Sequence, residues 1–215
     1  QIAKSGKRIL FVATKKQAKQ VIADKANSVG MPYVIERWPG GMLTNFTTIR
    51  KAVKKMTAID KMIKDGTFEN LSKREKLQVT RQRAKLEKTL GSIADLNRLP
   101  SAVFVVDVIK EHIAIAEARK LNIPTFAIVD TNSNPNLIDF PIPANDDASK
   151  SIELIISKMV EAIEEGLTER KNSRDKEDII EDEMMDDENV MENKGEDEEK
   201  EERRPRRPRK TVNKK

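Results

Sequence analysis

The sequence predicts an α/β domain in which helices flank a parallel β-sheet. Short apolar runs alternate with segments of helical periodicity through most of residues 1–167. Consecutive apolar positions are typical of strands buried on both faces of a parallel sheet, and the strand–helix order also favours that class. One segment, residues 47–93, interrupts the alternation, and the composition changes again from residue 168 onward.

The first part of the sheet domain, residues 1–46, contains two predicted strands and one helix. The strands are predicted over residues 8–13 and 33–36, where apolar side chains are consecutive. Thr14 is a fair cap for a helix that continues to about Val29.

The second part of the sheet domain, residues 94–167, repeats the pattern. Strands are predicted over residues 102–107 and 125–130, with a helix between them over about residues 110–121. The polar, proline-rich stretch that follows is interpreted as a loop, and a last amphipathic helix leads to Gly166.

The interrupting segment, residues 47–93, is predicted to be an inserted antiparallel coiled-coil helical hairpin. Gly66 and Asn70 mark a turn between two apolar stripes of helical spacing. The two stripes comprise Ile49, Val53, Met56 and Ile63, then Val79, Leu86, Leu90 and Ile93.

The C-terminal segment, residues 168–215, is predicted to be a disordered tail. Residues 171–202 carry a net charge of −11 and residues 203–215 a net charge of +8. So few apolar side chains cannot bury enough surface to offset the entropy of ordering the chain.

Composition excludes several classes of protein. There is no Cys, which excludes disulfide scaffolds, zinc fingers and thiol enzymes, and no apolar run long enough to span a membrane. The single histidine, His112, is interpreted as structural or exposed. Asp130, Asp146 and Asp147 are interpreted as caps of a loop and helix in preference to a metal site. The chain begins with Gln1 instead of Met, so an N-terminal segment is expected to be missing.

The α/β pattern also suggests a nucleotide-binding enzyme as an alternative. None of the eight glycines forms a dinucleotide-binding or phosphate-loop motif. We therefore expect no catalytic residue, no cofactor and no small-molecule substrate. Lys15 and Lys16 begin the first helix, where they either meet phosphates from another molecule or form a solvated first turn.

The loop over residues 37–46 is the most informative segment. It contains the only Trp and follows a strand, where open α/β sheets place ligand sites. Arg37 and Trp38 can stack on a base or sugar, although Trp38 and Phe46 can instead plug the base of the hairpin.

The same loop also carries groups suited to a phosphate backbone. Gly40 and Gly41 allow a bulky group to approach the main chain closely, and Thr44 and Asn45 can bond phosphate oxygens.

Positive charge concentrates in the first half of the chain. Residues 1–90 carry a net charge of +14, of which residues 50–90 contribute +8. Such an excess favours a polyanionic partner, although basic helix positions are often only a solvated face. The candidate hairpin cations are Arg50, Lys54, Arg74, Arg81, Arg83 and Lys85.

The sequence resembles the bacterial-type family of ribosomal protein S2 in five blocks that follow the family's order. They lie at residues 11–18, 37–48, 99–107, 123–132 and 137–147. The resemblance implies a Rossmann-like domain with a protruding coiled-coil hairpin and a structural role in the small ribosomal subunit of the cytoplasm. Implied partners are small-subunit ribosomal RNA, neighbouring small-subunit proteins and the mRNA-binding protein S1, with no membrane involved.

The resemblance also implies which residues face RNA, and it has limits. The family positions are Lys15, Lys16, Arg37, Trp38, Gly40, Gly41, Thr44 and Asn45, whereas the hairpin cations rest on charge alone. The family's usual N-terminal segment with histidine, tryptophan and asparagine is absent, which leaves metal binding unsupported. A further alternative is an interaction module whose acidic tail recruits a basic partner.

Overall fold

A computed structural model describes residues 1–173 of the 215-residue chain. Residues Gln1–Arg170 form one compact unit, to which all the described strands belong. The strands are β1 (Ile9–Val12), β2 (Tyr33–Val34), β3 (Ala102–Val106), β4 (Thr125–Val129) and β5 (Phe140–Pro143). The helices are α1 (Lys16–Ser28), α2 (Phe46–Lys64), α3 (Lys73–Leu90) and α4 (His112–Lys120), and a last helix, α5, occupies residues 149–173.

The five strands form one parallel sheet in the order β2-β1-β3-β4-β5. Every adjacent pair is parallel; for example, Phe11 of β1 lies opposite Tyr33 of β2 and Phe104 of β3. All the residues of β1 and β3 are buried, as consecutive apolar side chains in a covered sheet require. The predicted α/β class with a parallel sheet is therefore confirmed.

Alternate side chains of the strands pack into two separate hydrophobic cores, one on each face of the sheet. Leu10 and Val12 of β1 point to a core formed with α4, the end of α3 and the loop before α2. Ile9 and Phe11 point to the opposite core, which α1 and α5 complete. The sheet is thus covered on both faces, and the loop that begins at Arg37 belongs to the first of them.

The fifth strand, β5, is a correction to the predicted proline-rich loop. The N–H of Ala144 donates to the carbonyl of Val129, so in this register the backbone N–H groups of the alternate residues Phe140 and Ile142 also point toward β4. At Pro141 and Pro143 a backbone N–H would point away from β4, so their lack of an N–H costs no hydrogen bond between the strands. Proline on an edge strand is therefore compatible with pairing to β4. It also makes the open edge of the sheet less able to pair with a strand of another chain, because proline has no N–H to donate.

The last helix, α5, is longer than predicted. It begins at residue 149 and continues through Gly166 to residue 173, so residues 168–173 of the predicted tail are helical. Gly166 is buried, and a Cβ there would lie 3.1 Å from the Cβ of Ala3, which explains a glycine inside the helix. The remainder of the predicted tail, residues 174–215, lies outside the described residues.

The α2–α3 segment departs from the sheet and returns to it. Phe46 at the start of α2 and Leu90 at the end of α3 both pack in the core that α4 covers. Between the helices, Gly66 adopts a left-handed conformation with φ of +72°, and Ser72 and Glu75 form a reciprocal capping box that starts α3.

Candidate nucleic-acid interface

A buried carboxylate, Glu117 of α4, organises the loop that the sequence singled out. Its Oε1 accepts hydrogen bonds from Nε1 of Trp38 at 3.1 Å and from the N–H of Gly41 at 2.8 Å. Its Oε2 accepts from the N–H of Leu43 at 2.9 Å, and from the N–H and hydroxyl of Thr44 at 3.1 and 3.2 Å. Five donors therefore converge on one internal anion.

The hydrogen bonds keep Glu117 ionised inside the protein. Burial alone raises its pKa, but the hydrogen bonds from Trp38 and from the backbone of Thr44, Leu43 and Gly41 outweigh burial, so the net pKa lies below the ordinary glutamate value. The loop thus surrounds a carboxylate in the way that backbone nests surround a phosphate.

Sequence reasoning identified the donors of this loop but missed their acceptor. Glu117 is the single acidic residue in the otherwise apolar stretch over residues 113–118. An isolated charge on the buried face of a helix requires an internal partner, and that signal was available in the sequence.

The structure places the aromatic residue of the loop inside the protein. Trp38 is only 6% exposed, and its ring packs in the core with Met42 and Leu43. This position agrees with the packing alternative that the sequence left open, in which Trp38 belongs to the core.

The two glycines of the loop have different roles. Gly41 has φ of +81°, and its N–H points to Glu117, so this position favours glycine for conformational reasons. Gly40 is exposed, and a Cβ there would meet no atom within 4 Å. Gly40 is therefore the glycine that leaves open space beside the main chain.

The ends of the loop are exposed. Arg37 is exposed and, among residues 1–173, takes part in no ion pair. Thr44 is exposed, although its N–H and hydroxyl are directed to Glu117. Asn45 precedes α2, and its Oδ1 accepts a hydrogen bond from the Thr48 hydroxyl at 2.8 Å. Among residues 1–173, the guanidinium of Arg37 and the amide NH₂ of Asn45 therefore remain unpaired, one at each end of the loop.

The adjacent cations Lys15 and Lys16 occupy very different environments. The Nζ of Lys15 lies 2.6 Å from Asp147, 2.8 Å from Asp146 and 3.4 Å from Asp107, and the side chain is 14% exposed. Lys16 is exposed and forms no ion pair with the described residues. Of the two lysines, Lys16 is therefore the exposed one, whereas the ammonium group of Lys15 is held by carboxylates of the same chain.

The electrostatics of Lys15 follow from its three aspartates. Burial lowers the pKa of Lys15, but the hydrogen bonds to Asp146 and Asp147 and the charges of Asp146 and Asp107 more than offset it, so its pKa lies above the ordinary lysine value. Asp130, Asp146 and Asp147 bring carboxylate oxygens within 4.8 Å of one another, and the ammonium group of Lys15 already pairs with two of these residues.

The aspartates predicted to cap the loop and the following helix fill this role only in part. Asp130 accepts hydrogen bonds from the N–H of Thr131 and Asp146, which lower its pKa. Asn145, and not an aspartate, accepts from the N–H groups of Asp147 and Ala148 before α5.

The predicted cap Thr14 is also reassigned. Lys15 is the N-cap residue of α1, whereas the N–H and hydroxyl of Thr14 donate to Glu111. These contacts and the Lys15–Asp107 pair lie at the carboxyl ends of β1 and β3. Doubly wound sheets bind nucleotides at this position, where the strand order reverses. In this chain, the side chains of Lys15, Asp107 and Glu111 lie at this position.

His112 lies exposed at the start of α4, with Nδ1 2.9 Å from the carbonyl of Ile109.

The six candidate cations of the α2–α3 segment divide into two groups. Arg50 donates to the carbonyl of Asn97 at 2.8 Å, and Arg83 pairs with Asp60 and Glu87. The remaining four are exposed and form no ion pair among the described residues: Lys54, Arg74, Arg81 and Lys85.

Three of the candidate cations, all exposed and in no ion pair among the described residues, share one side of α3. Arg74, Arg81 and Lys85 follow a spacing of seven and four residues, which places them on one stripe. The half-buried Val79 and Leu86 lie on the other side of α3. A rise of about 1.5 Å per residue gives this cationic stripe a length of about 16 Å. On α2, Lys54 is exposed and lies on the side of the helix away from the buried Met56 and Ile59.

Comparison with known proteins identifies the family. The family model of ribosomal protein S2 matches residues 1–166. The chain belongs to the ribosomal protein S2 family. The resemblance drawn from the five sequence blocks is thereby confirmed.

Curated relatives of the S2 family are close in sequence. The chain is 77% identical over 170 residues to the small ribosomal subunit protein uS2 of Parabacteroides distasonis, which covers 79% of the chain and 61% of that relative. The uS2 protein of Porphyromonas gingivalis is also 77% identical over 170 residues, covering 79% and 60%, respectively. The uS2 protein of Bacteroides fragilis is 74% identical over 171 residues, covering 80% and 62%. The chain spans about three fifths of the length of these relatives.

Proposed function

We propose that this chain is a non-enzymatic structural constituent of the small ribosomal subunit that binds small-subunit ribosomal RNA. The observation that carries the proposal is the set of exposed, unneutralised cations on α2 and α3, in a chain of the S2 family. Lysine and arginine side chains on a helix supply the phosphate contacts that dominate affinity for nucleic acids.

The proposed RNA surface excludes residues whose groups are already used inside the protein. It comprises the cationic stripe of α3, Lys54 of α2, and the exposed groups at Lys16, Arg37, Gly40 and Asn45. Trp38, Gly41 and Thr44 support the surface through Glu117, and Lys15, Arg50 and Arg83 support it through their intramolecular partners.

In this proposal α2 and α3 form an antiparallel coiled-coil hairpin that carries the cations away from the sheet. The Arg83–Asp60 pair joins the two helices, and Met56 and Ile59 of α2 are buried. Because the helices begin and end in the same core, the connection over residues 65–72 lies at the far end of the segment.

The remaining partners and the location belong to the same proposal. Neighbouring small-subunit proteins and the mRNA-binding protein S1 are partners on the strength of the family resemblance alone, and the setting is the bacterial cytoplasm. Among the described residues, each helix falls short of the length or the hydropathy that a membrane span requires.

Binding to a transcript of small-subunit ribosomal RNA at several salt concentrations tests the proposal. Affinity is expected to fall steeply between about 50 and 200 mM salt, because phosphate contacts release counterions. The double variant Arg81→Glu with Lys85→Glu should bind more weakly and reduce the salt slope by about 2.

The matched control changes the net charge equally on the sheet domain. Lys120 and Lys150 are exposed and unpaired among the described residues, so Lys120→Glu with Lys150→Glu should leave the slope unchanged. Equal losses from both double variants would show that binding follows net charge and not the surface on α3.

A further inference from the structure

We propose that Glu117 is a positioning residue for RNA binding, because its carboxylate shapes the loop over residues 38–44 and thereby fixes how Arg37 and Asn45 are presented. The inference rests on the proposed RNA-binding function, which it deepens by adding a buried residue that touches no RNA.

The contacts of Glu117 show that the loop depends on this side chain. Its two oxygens accept hydrogen bonds from the indole of Trp38 and from the backbone N–H groups of Gly41, Leu43 and Thr44. These donors are spread over seven residues that form neither strand nor α-helix. Without the shared acceptor, buried donors would lack partners, so this loop conformation requires the carboxylate.

The loop conformation is passed directly to the exposed residues on either side. Arg37 precedes Trp38, and Asn45 follows Thr44, so each is covalently joined to a residue that Glu117 holds. The N–H of Asn45 also donates to the carbonyl of Gly41 at 2.7 Å, and Asn45 is the N-cap residue of α2. Glu117 therefore influences both the loop and the start of a helix that carries proposed RNA contacts.

A carboxylate suits this position better than a neutral amide. Both oxygens of Glu117 accept hydrogen bonds, whereas glutamine would direct an NH₂ group toward two of the donors. No described charged side chain forms an ion pair with Glu117. The groups that face it from the loop are N–H groups and one hydroxyl, and its lowered pKa agrees with stabilisation by these donors.

The first test uses Trp38, which is the only tryptophan of the chain and a direct partner of Glu117. Glu117→Gln should shift Trp38 fluorescence to longer wavelength and increase its quenching by acrylamide, with unchanged far-UV circular dichroism. Glu111→Gln is the matched control, since Glu111 is a second buried glutamate six residues earlier whose contacts go to Thr14. An equal fluorescence change in both variants would overturn the local role of Glu117.

A pH titration of the unmodified chain provides a test that needs no folded variant. A carboxylate with a lowered pKa stabilises the folded loop above its unfolded pKa of about 4.3, and that stabilisation is lost as pH falls through the folded pKa. Trp38 fluorescence should therefore stay constant as pH falls from 7 toward the ordinary glutamate pKa of about 4.3, and should change only below it. A transition at or above the ordinary glutamate pKa would contradict the proposal.

The second test separates positioning from general stability by means of RNA. Glu117→Gln should weaken binding to the small-subunit RNA transcript about tenfold. In the background of Arg37→Ala the same substitution should cost much less, because residues that act through one another are not additive. Additive losses would overturn the proposal. If the unmodified chain does not bind RNA, the proposed function fails, whereas the fluorescence result still decides whether Glu117 shapes the loop.

Discussion

The loop over residues 37–45 and the α2–α3 segment both carry chemistry suited to a phosphate backbone, but they use it in opposite ways. In the loop, the N–H groups and the indole are directed inward to Glu117. On α3, the cationic stripe of Arg74, Arg81 and Lys85 is directed outward and is unpaired among the described residues.

The difference shows that residue type alone does not identify a binding group. A donor or a cation is available to a partner only when the fold leaves it unsatisfied. Lys15 and Lys16 make the same point at neighbouring positions, since three aspartates surround one of them and the other is exposed. Substitutions of the outward groups should therefore change binding and leave stability unchanged. Substitutions of the inward groups should lower stability and should change binding only through the exposed residues that they position.

The largest expected effect on stability comes from removing the acceptor of the loop. Glu117→Leu leaves several buried donors without partners and should lower the free energy of unfolding by about 4 kcal/mol. Arg81→Ala, the outward counterpart, should change it by less than about 0.5 kcal/mol. Urea denaturation measures both values. A small effect of Glu117→Leu would mean that the loop does not depend on its internal anion.

The comparison of Lys15 with Lys16 is expected to give a smaller difference. Lys15→Met leaves Asp146 buried beside other carboxylates without its counter-charge and should cost about 3 kcal/mol. Lys16→Met should be neutral within about 0.5 kcal/mol, because its side chain is exposed. Similar values in the same denaturation assay would show that the internal ion pairs contribute no more than a solvated lysine.

Sequence patterns predicted the parts of the fold in which local composition and tertiary context agree. The strands around Phe11, Phe104 and Ile128 are consecutive apolar runs, and the structure buries all three residues in a parallel sheet. The strand β5 escaped prediction because Pro141 and Pro143 are strand breakers except on an edge. The edge position is a tertiary property that the local sequence does not encode.

The residues of the candidate site differ in how far their surroundings follow from the local sequence. Helical spacing identifies the outward stripe of α3, because residues seven and four apart share a helix face whatever the rest of the chain does. The inward role of the loop depends on Glu117, which is 73 residues after Thr44 in sequence. The role of Lys15 similarly depends on Asp146, which is 131 residues away. Only the folded sheet brings these partners together.

Sedimentation of the tagged full chain with ribosomal subunits tests the central claim most directly. In moderate salt the unmodified chain should co-migrate with the small subunit on a sucrose gradient. The variant that combines Arg74→Glu, Arg81→Glu and Lys85→Glu should remain largely at the top, although it should fold normally by circular dichroism. Equal co-migration of this variant would remove α3 from the RNA surface, and failure of the unmodified chain to co-migrate would contradict the proposed function itself.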